Sequence, residues 1–358
     1  MTEADRQTTP DEPPAFESPQ EPDVPPEVLA RRICDFGLAI EGRPLERVIE
    51  RFRGELGALG IERVKPVFYL SDSWGVPEGT VAIGLPFYLA DEALLRAQAR
   101  RGGMIEGESE EDILRYLRHE MGHVVNYAYR LFATEEWTTL FGPMSRPYTE
   151  EYKVAPFSTQ FVRHLPGGYA QKHPDEDWAE TFALWMTPRL DWRELYADSP
   201  GALAKLEYCD RILRELQERT PEVQEVELDS DVREIRATVQ EFYGGFQAGD
   251  VKVPKSLDGD LRAIFARANA TPAAEGARAG DAALLLQRQR HFLANSVYRW
   301  TGVDPAVIAP VIAHLVGRAR ELKLAYPLNQ RDEVLVELSG FLTTLAMNYV
   351  YAGKLIVP

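Results

Sequence analysis

The sequence predicts an α+β fold, a mixed domain with a small mixed sheet followed by an all-helical one, on three observations. Two short β-branched and aromatic runs, 64–70 and 80–89, are separated by Gly75, Pro77 and Gly79 and read as strands. Around them, apolar residues recur at helical spacing over longer stretches. Beyond a proline-bearing acidic join near 220–231, nearly every segment carries the helical period.

The elements follow in order. Residues 1–26 hold seven prolines and seven acidic residues with almost no large apolar side chains, so a disordered tail is expected to about residue 27. Between 26 and 59, Val28, Leu29, Ile33, Phe36, Leu45, Val48, Ile49 and Phe52 mark two helices broken near Gly42 to Pro44. The strands come next, then a polar loop at 102–108 and helical stretches at 110–132, 175–186 and 199–219. An irregular aromatic segment lies between the first two of these. Later helices are predicted at 232–243, 258–269, 282–300, 304–323 and 330–351, with a small-residue linker at 270–281. The organisation expected is a tail at 1–27, an α+β domain at 28–220 and a helical domain at 221–358.

Composition narrows the function. With 45% hydrophobic residues and 27% charged, the 358 residues can bury a sizeable core. Acids outnumber bases 56 to 40, a net charge of -16, which argues against nucleic acid and against anionic membranes as partners. Cys34 and Cys209 lie far apart, so neither a disulfide framework nor a cysteine metal site is expected. The start of the chain lacks the basic and apolar pattern of a secretory signal, and a cytoplasmic setting is the expectation. The apolar stretch 341–357 is interrupted by Thr343, Thr344, Asn348 and Lys354 and reads as a core helix.

Chemistry enters at His119-Glu120-Met-Gly-His123, an H-E-x-x-H pattern inside a predicted helix. At about 100° per residue both histidines share one face, while Ile113, Leu114, Leu117, Met121, Val124, Val125 and Ala128 gather on the other. That places two imidazoles toward a cleft, where they suit zinc, with Glu120 beside them to deprotonate water. A catalytic zinc usually takes a third protein ligand. A histidine six residues after the second is ruled out, because Tyr129 stands there. A glutamate from a later helix is the other common arrangement. The segment from Tyr169 to Ala183 offers two, Glu176 and Glu180, one turn apart on one face of a helix that Pro174 would start.

The pairing of His-Glu-Met-Gly-His with Tyr169, six residues, and Glu-Asp-Trp-Ala-Glu-Thr-Phe-Ala resembles the gluzincin metallopeptidases. Within them it is similar to the anthrax lethal factor-like group and a bacterial zinc-binding metallopeptidase group. The resemblance spans roughly 65–190. It implies a zincin-like domain holding one Zn2+ per chain, with His119, His123 and Glu176 as ligands and Glu120 as general base. It further implies that Glu180 steadies a ligand histidine, that Tyr169 donates to the oxyanion, and that 80–89 pairs with an extended peptide or protein substrate. The expected activity is peptide-bond hydrolysis through a zinc-activated water.

Other residues have weaker claims. His164 and His173 flank Tyr169 and are candidates to replace it, and Asn126 and Arg130 fall on the histidine face. Trp137, Phe141, Tyr148, Tyr152 and Phe157 are candidates for a cleft lining or for core. The run at 72–75 reads as a loop beside the edge strand. Two rival functions stand beside peptide hydrolysis: a zincin-fold protein that binds peptides or a partner, by way of the helical domain, with little turnover; and a latent peptidase that a partner activates.

Overall fold

The computed structural model describes residues 24–100, 105–149, 152, 154, 155, 157–244, 257–270, 279–303 and 305–352. The tail expected at 1–27 lies outside them up to residue 23, as do 271–278 of the expected linker and 102–104 of the polar loop. The first half carries helices α1 (Pro26–Leu29), α2 (Pro44–Ala58), α3 (Glu92–Arg100), α4 (Glu110–Ala128), α5 (Glu135–Phe141), α6 (Pro174–Trp185), α7 (Trp192–Leu195), α8 (Pro200–Leu216) and α9 (Val239–Gly244). The second carries α10 (Asp258–Ala270), α11 (Ala282–Arg288), α12 (Arg290–Thr301), α13 (Pro305–Glu321) and α14 (Arg331–Ala352).

Strands β1 (Val67–Ser71) and β2 (Ala82–Pro86) pair in parallel, in register from Val67 with Ala82 to Ser71 with Pro86. All five residues of β2 are buried. The Gly84 N–H donates to the Gly75 carbonyl at 2.8 Å, which makes an antiparallel bridge on the other side of β2. Among the described residues, the mixed character expected of the sheet therefore rests on a single bridge. It also occupies, at Gly84, part of the backbone edge expected to meet a substrate. The second half is not all-helical: β3 (Ala279–Asp281) and β4 (Ala325–Pro327) pair antiparallel. At three residues each, with only Tyr326 and Pro327 buried, they are too short to leave an alternating pattern in the sequence.

Local chemistry sets where α4 begins and ends. The Ser109 side chain accepts from the Asp112 N–H, and Glu110, Glu111 and Asp112 fill the first turn at the positive end of the helix dipole. The helix stops at Ala128, short of the predicted 132, since Arg130 adopts a left-handed conformation with φ 48° before a 3-10 turn at Leu131–Ala133. Asn126 Oδ1 accepts from the Phe132 N–H at 3.0 Å and ties that turn back to the helix. Two other long predictions also divide. Gln289 leaves helical geometry between α11 and α12, and 232–243 becomes a 3-10 turn at Val232–Glu234 followed by α9.

A first core gathers Phe52, Ile83, Leu85, Leu114, Leu117, Met121, Trp137, Trp178 and Phe182, so α4 and α6 are both anchored through their apolar faces. Val232 and Val239 belong to it as well. The chain after residue 220 runs back along this core: the Glu222 and Val223 N–H groups donate to the Ala128 carbonyl, and the Ile33 N–H donates to the Ala237 carbonyl. A second core, from Leu257 onward, includes Leu261, Phe265, Leu286, Leu293, Val297, Val311, Leu338 and Leu342. Helix α14 contributes Leu338, Leu342, Leu345 and Ala346 to it. By length and composition alone, Leu328–Tyr351 is also long and apolar enough to cross a membrane. The two halves meet where α12 packs on the 3-10 segment Pro166–Gln171.

Candidate metal centre

Helix α4 crosses α6 at its glycine. A Cβ built on Gly122 would lie 2.7 Å from the Ala179 Cα and 3.1 Å from the Ala179 carbonyl oxygen, so only glycine lets the backbones come this close. The Trp178 indole N–H donates to the Gly122 carbonyl at 2.7 Å and fixes the crossing. His119, about one turn before Gly122, and His123, the residue after it, are thereby set against the first turns of α6. Gly122→Ala is expected to cost about 1–3 kcal/mol of stability by overpacking. It should also weaken zinc binding, measured by competition with a chelator, by about tenfold or more. Wild-type affinity in that variant would show that the helix spacing does not set the site.

Three donor atoms converge there. The Nε2 atoms of His119 and His123 lie 3.2 Å apart, and Glu176 Oε2 lies 3.0 Å from the first and 3.3 Å from the second. Zinc bonds of 2.0–2.2 Å in a tetrahedron imply donor separations of roughly 3.3–3.5 Å. The triangle is within a few tenths of an ångström of that, and all three residues are buried. Two imidazoles and a carboxylate are the donor set that zinc favours. The residues fit the ion.

Each donor has its own support. His119 Nδ1 lies 3.0 Å from Glu180 Oε1, and the Glu180 carboxylate accepts the backbone N–H groups of His164 and Leu165 at 2.9–3.1 Å. His123 Nδ1 lies 2.9 Å from Asp175 Oδ2, which also accepts the Tyr127 hydroxyl at 2.6 Å, while Asn126 Nδ2 donates to Asp175 Oδ1 at 2.6 Å. Both imidazoles are thus held by Nδ1 and turn Nε2 inward, the arrangement that fixes tautomer and ring direction in metal sites. Glu176 Oε1 accepts from the Tyr148 hydroxyl at 2.7 Å, leaving Oε2 for the histidines.

Electrostatics match the geometry. Burial alone would lower His119, but its bonds to Glu176 and Glu180 overcome this and carry it up to about 9. Burial likewise opposes the charge on His123, and Asp175 with Glu176 outweighs it and raises the imidazole. Two protonated Nε2 atoms 3.2 Å apart would repel each other, and a divalent cation held between them would take the place of their protons. Burial would raise Asp175 and Glu176, yet the neighbouring histidines pull Asp175 below its ordinary value and Glu176 well below it. Burial raises Glu120, partly offset by His119 and His123.

A cavity of about 490 Å³ opens over this cluster, lined by His119, Glu120, His123, Glu176, Tyr169 and Tyr148, with Trp74, Gly75, Val76, Glu78, Met144 and Arg146 around its rim. Tyr169 stands beside His119, ring centroids 5.6 Å apart, and its hydroxyl is 3.3 Å from that of Tyr148. Burial, reinforced by Glu176, raises the Tyr169 phenol, so it stays a donor. Two successive glycines with positive φ, Gly167 and Gly168, turn the chain just before it.

The six residues singled out from sequence, His119, Glu120, His123, Tyr169, Glu176 and Glu180, come together in one place. The ring nitrogens of His164 and His173 are engaged by neighbouring backbone: His164 Nε2 lies 3.0 Å from the Arg115 carbonyl beside a different cavity, while His173, which lines this one, accepts from the Asp175 N–H at 3.2 Å and lies 2.8 Å by Nε2 from the Arg146 carbonyl. Asn126 acts through Asp175, and Arg130 is exposed at the helix end. Trp137 and Phe141 are core, Tyr148 lines the cleft, Tyr152 bonds the Gly167 carbonyl, and Phe157 is exposed. Sequence reasoning missed Asp175 and Tyr127 as supports of His123, because that pairing depends on how closely α4 and α6 approach. The loop at 72–75 supplies Trp74 and Gly75 to the rim.

Searches of curated proteins and of solved structures find no match. A family model does match: residues 74–196, from Trp74 on the rim through both motifs to Tyr196, are similar to the family described as "putative zinc-binding metallo-peptidase".

Proposed function

We propose that this protein is a zinc-dependent peptidase of the gluzincin type, with one zinc held by His119, His123 and Glu176. The observation that carries the proposal is the near-tetrahedral triangle of two imidazole nitrogens and one carboxylate oxygen, facing an open cavity that Glu120 also lines. A structural site of this kind has no need of a glutamate beside its ligands. An ion held there supplies a Lewis acid that polarises a carbonyl and lowers the pKa of water from about 15.7 toward about 7.

The side chains do the rest. Glu120 takes the proton of the attacking water and passes it to the leaving nitrogen. Tyr169 aims its hydroxyl at the oxygen that gains charge as the carbonyl becomes tetrahedral. Glu180 and Asp175 hold the two imidazoles, and Tyr148 holds the ligand carboxylate. With Gly84 bridged to Gly75, an extended peptide entering the cleft meets the Trp74-Gly75-Val76 loop rather than β2 itself.

The test is digestion of a chemically unfolded protein, with new amino termini labelled and identified. New termini that appear with the zinc-loaded chain and vanish on chelation are expected; none at any zinc level would favour the binding-protein reading. Two tyrosine variants assign the hydroxyls. Tyr169→Phe should keep its zinc and lose about 10²–10³ in kcat, the cost of one oxyanion donor. Tyr148→Phe should instead weaken zinc binding by about 10–100-fold, as loss of a ligand's support does. The reverse pattern would exchange their roles.

A further inference from the structure

We infer that the helical half of the chain is a positioning part of the active site, acting through Gly302 on the loop that carries Tyr169. The inference rests on the peptidase reading above. Gly302 ends α12 in a left-handed conformation, φ 71°, and meets Gly167, φ 79°, backbone against backbone. A Cβ on Gly167 would lie 2.7 Å from the Gly302 Cα, and one on Gly302 would lie 2.8 Å from the Gly167 Cα. Real Cβ contacts are not that short, and backbone atoms cannot swing aside as a side-chain tip can. The contact therefore exists only because both positions are glycine.

What it holds is the catalytic loop. Two residues before Gly167, the Leu165 N–H bonds both oxygens of Glu180, which holds His119. Two residues after it, Tyr169 faces His119 and reaches Tyr148. The same loop has further holds: Tyr152 donates to the Gly167 carbonyl at 3.1 Å, and a Cβ on Gly168 would lie 2.8 Å from Val154 Cγ1. Tyr152, Val154 and the end of α12 together grip the loop. With two consecutive left-handed glycines it has little stiffness of its own, so the direction of the Tyr169 hydroxyl depends on that grip.

The experiment uses the full chain with zinc in excess. Gly302→Asn is the main variant, because asparagine tolerates the left-handed cap of α12 while adding the Cβ that Gly167 cannot accommodate. Val336→Ser, on the exposed face of α14, is the control. Expected for Gly302→Asn are a kcat about tenfold lower, a KM within about twofold, and amide exchange across 163–172 faster by about tenfold or more. In a Tyr169→Phe background the same substitution should change kcat by less than about twofold, since the two act as a unit. Unchanged exchange, unchanged kcat, or an equal loss of kcat without the Tyr169 hydroxyl would overturn the inference. Gly167→Ala repeats the test from the opposite side. Should both variants fail to fold, the unaltered chain still decides it: amides of 164–171 and 297–303 should open together, and a loop that exchanges independently of the end of α12 would refute the grip. A wild-type chain that cleaves nothing would defeat the peptidase reading, and the exchange measurement would still decide whether Gly302 holds the loop.

Discussion

Glu120→Gln is expected to bind zinc as the wild type does and to lose about 10²–10⁴ in kcat, the usual worth of a positioned general base. The substitution keeps the size of the side chain and removes only its ability to accept a proton. Nothing in the triangle of His119, His123 and Glu176 depends on Glu120, so metal content should not change. Burial holds the Glu120 carboxyl above its ordinary value, and glutamine at that depth adds no new charge to bury. Turnover by a zinc-loaded Glu120→Gln protein at the wild-type rate would remove the base from the mechanism and leave a zinc site of another purpose.

Glu176→Ala should have the largest effect on the metal itself. Losing a partner that only orients a ligand costs about 10–100-fold in affinity, and losing a ligand should exceed that, by more than about 100-fold. The donor triangle becomes a histidine pair, and Tyr148 loses the acceptor its hydroxyl bonds at 2.7 Å. Glu180→Ala should fall in the smaller range, because Glu180 touches His119 only through Nδ1. Equal losses for the two variants would mean that the assignment of ligand and support is mistaken. Competition with a chromogenic chelator measures both.

How much of this is legible in the sequence differs from residue to residue. The face shared by His119 and His123 follows from helical period alone, because α4 is a long helix whose apolar side must be buried. Glu176 and Glu180 are legible as a pair on one face of a helix started by Pro174. Period cannot choose between them, since that needs the distance from α4. The pairing of Asp175 with His123 is hidden for the same reason: it exists only because Gly122 lets the helices touch at Ala179. Tyr148 comes from an irregular stretch with no period to read. The helix boundaries at Arg130 and Gln289 escape notice because neither residue is a proline or glycine, and tertiary contacts set their conformations. The paired strands β3 and β4 are too short to show, and the meeting of Gly167 with Gly302, 135 positions apart, has no local trace.

The most direct test of the whole account is a zinc titration of the metal-stripped wild-type chain, with cleavage of an unfolded protein followed at each step. The rate should rise in proportion to added zinc and level off at about one equivalent per chain. A rate that does not respond to zinc, or cleavage that persists in the stripped protein, would contradict it.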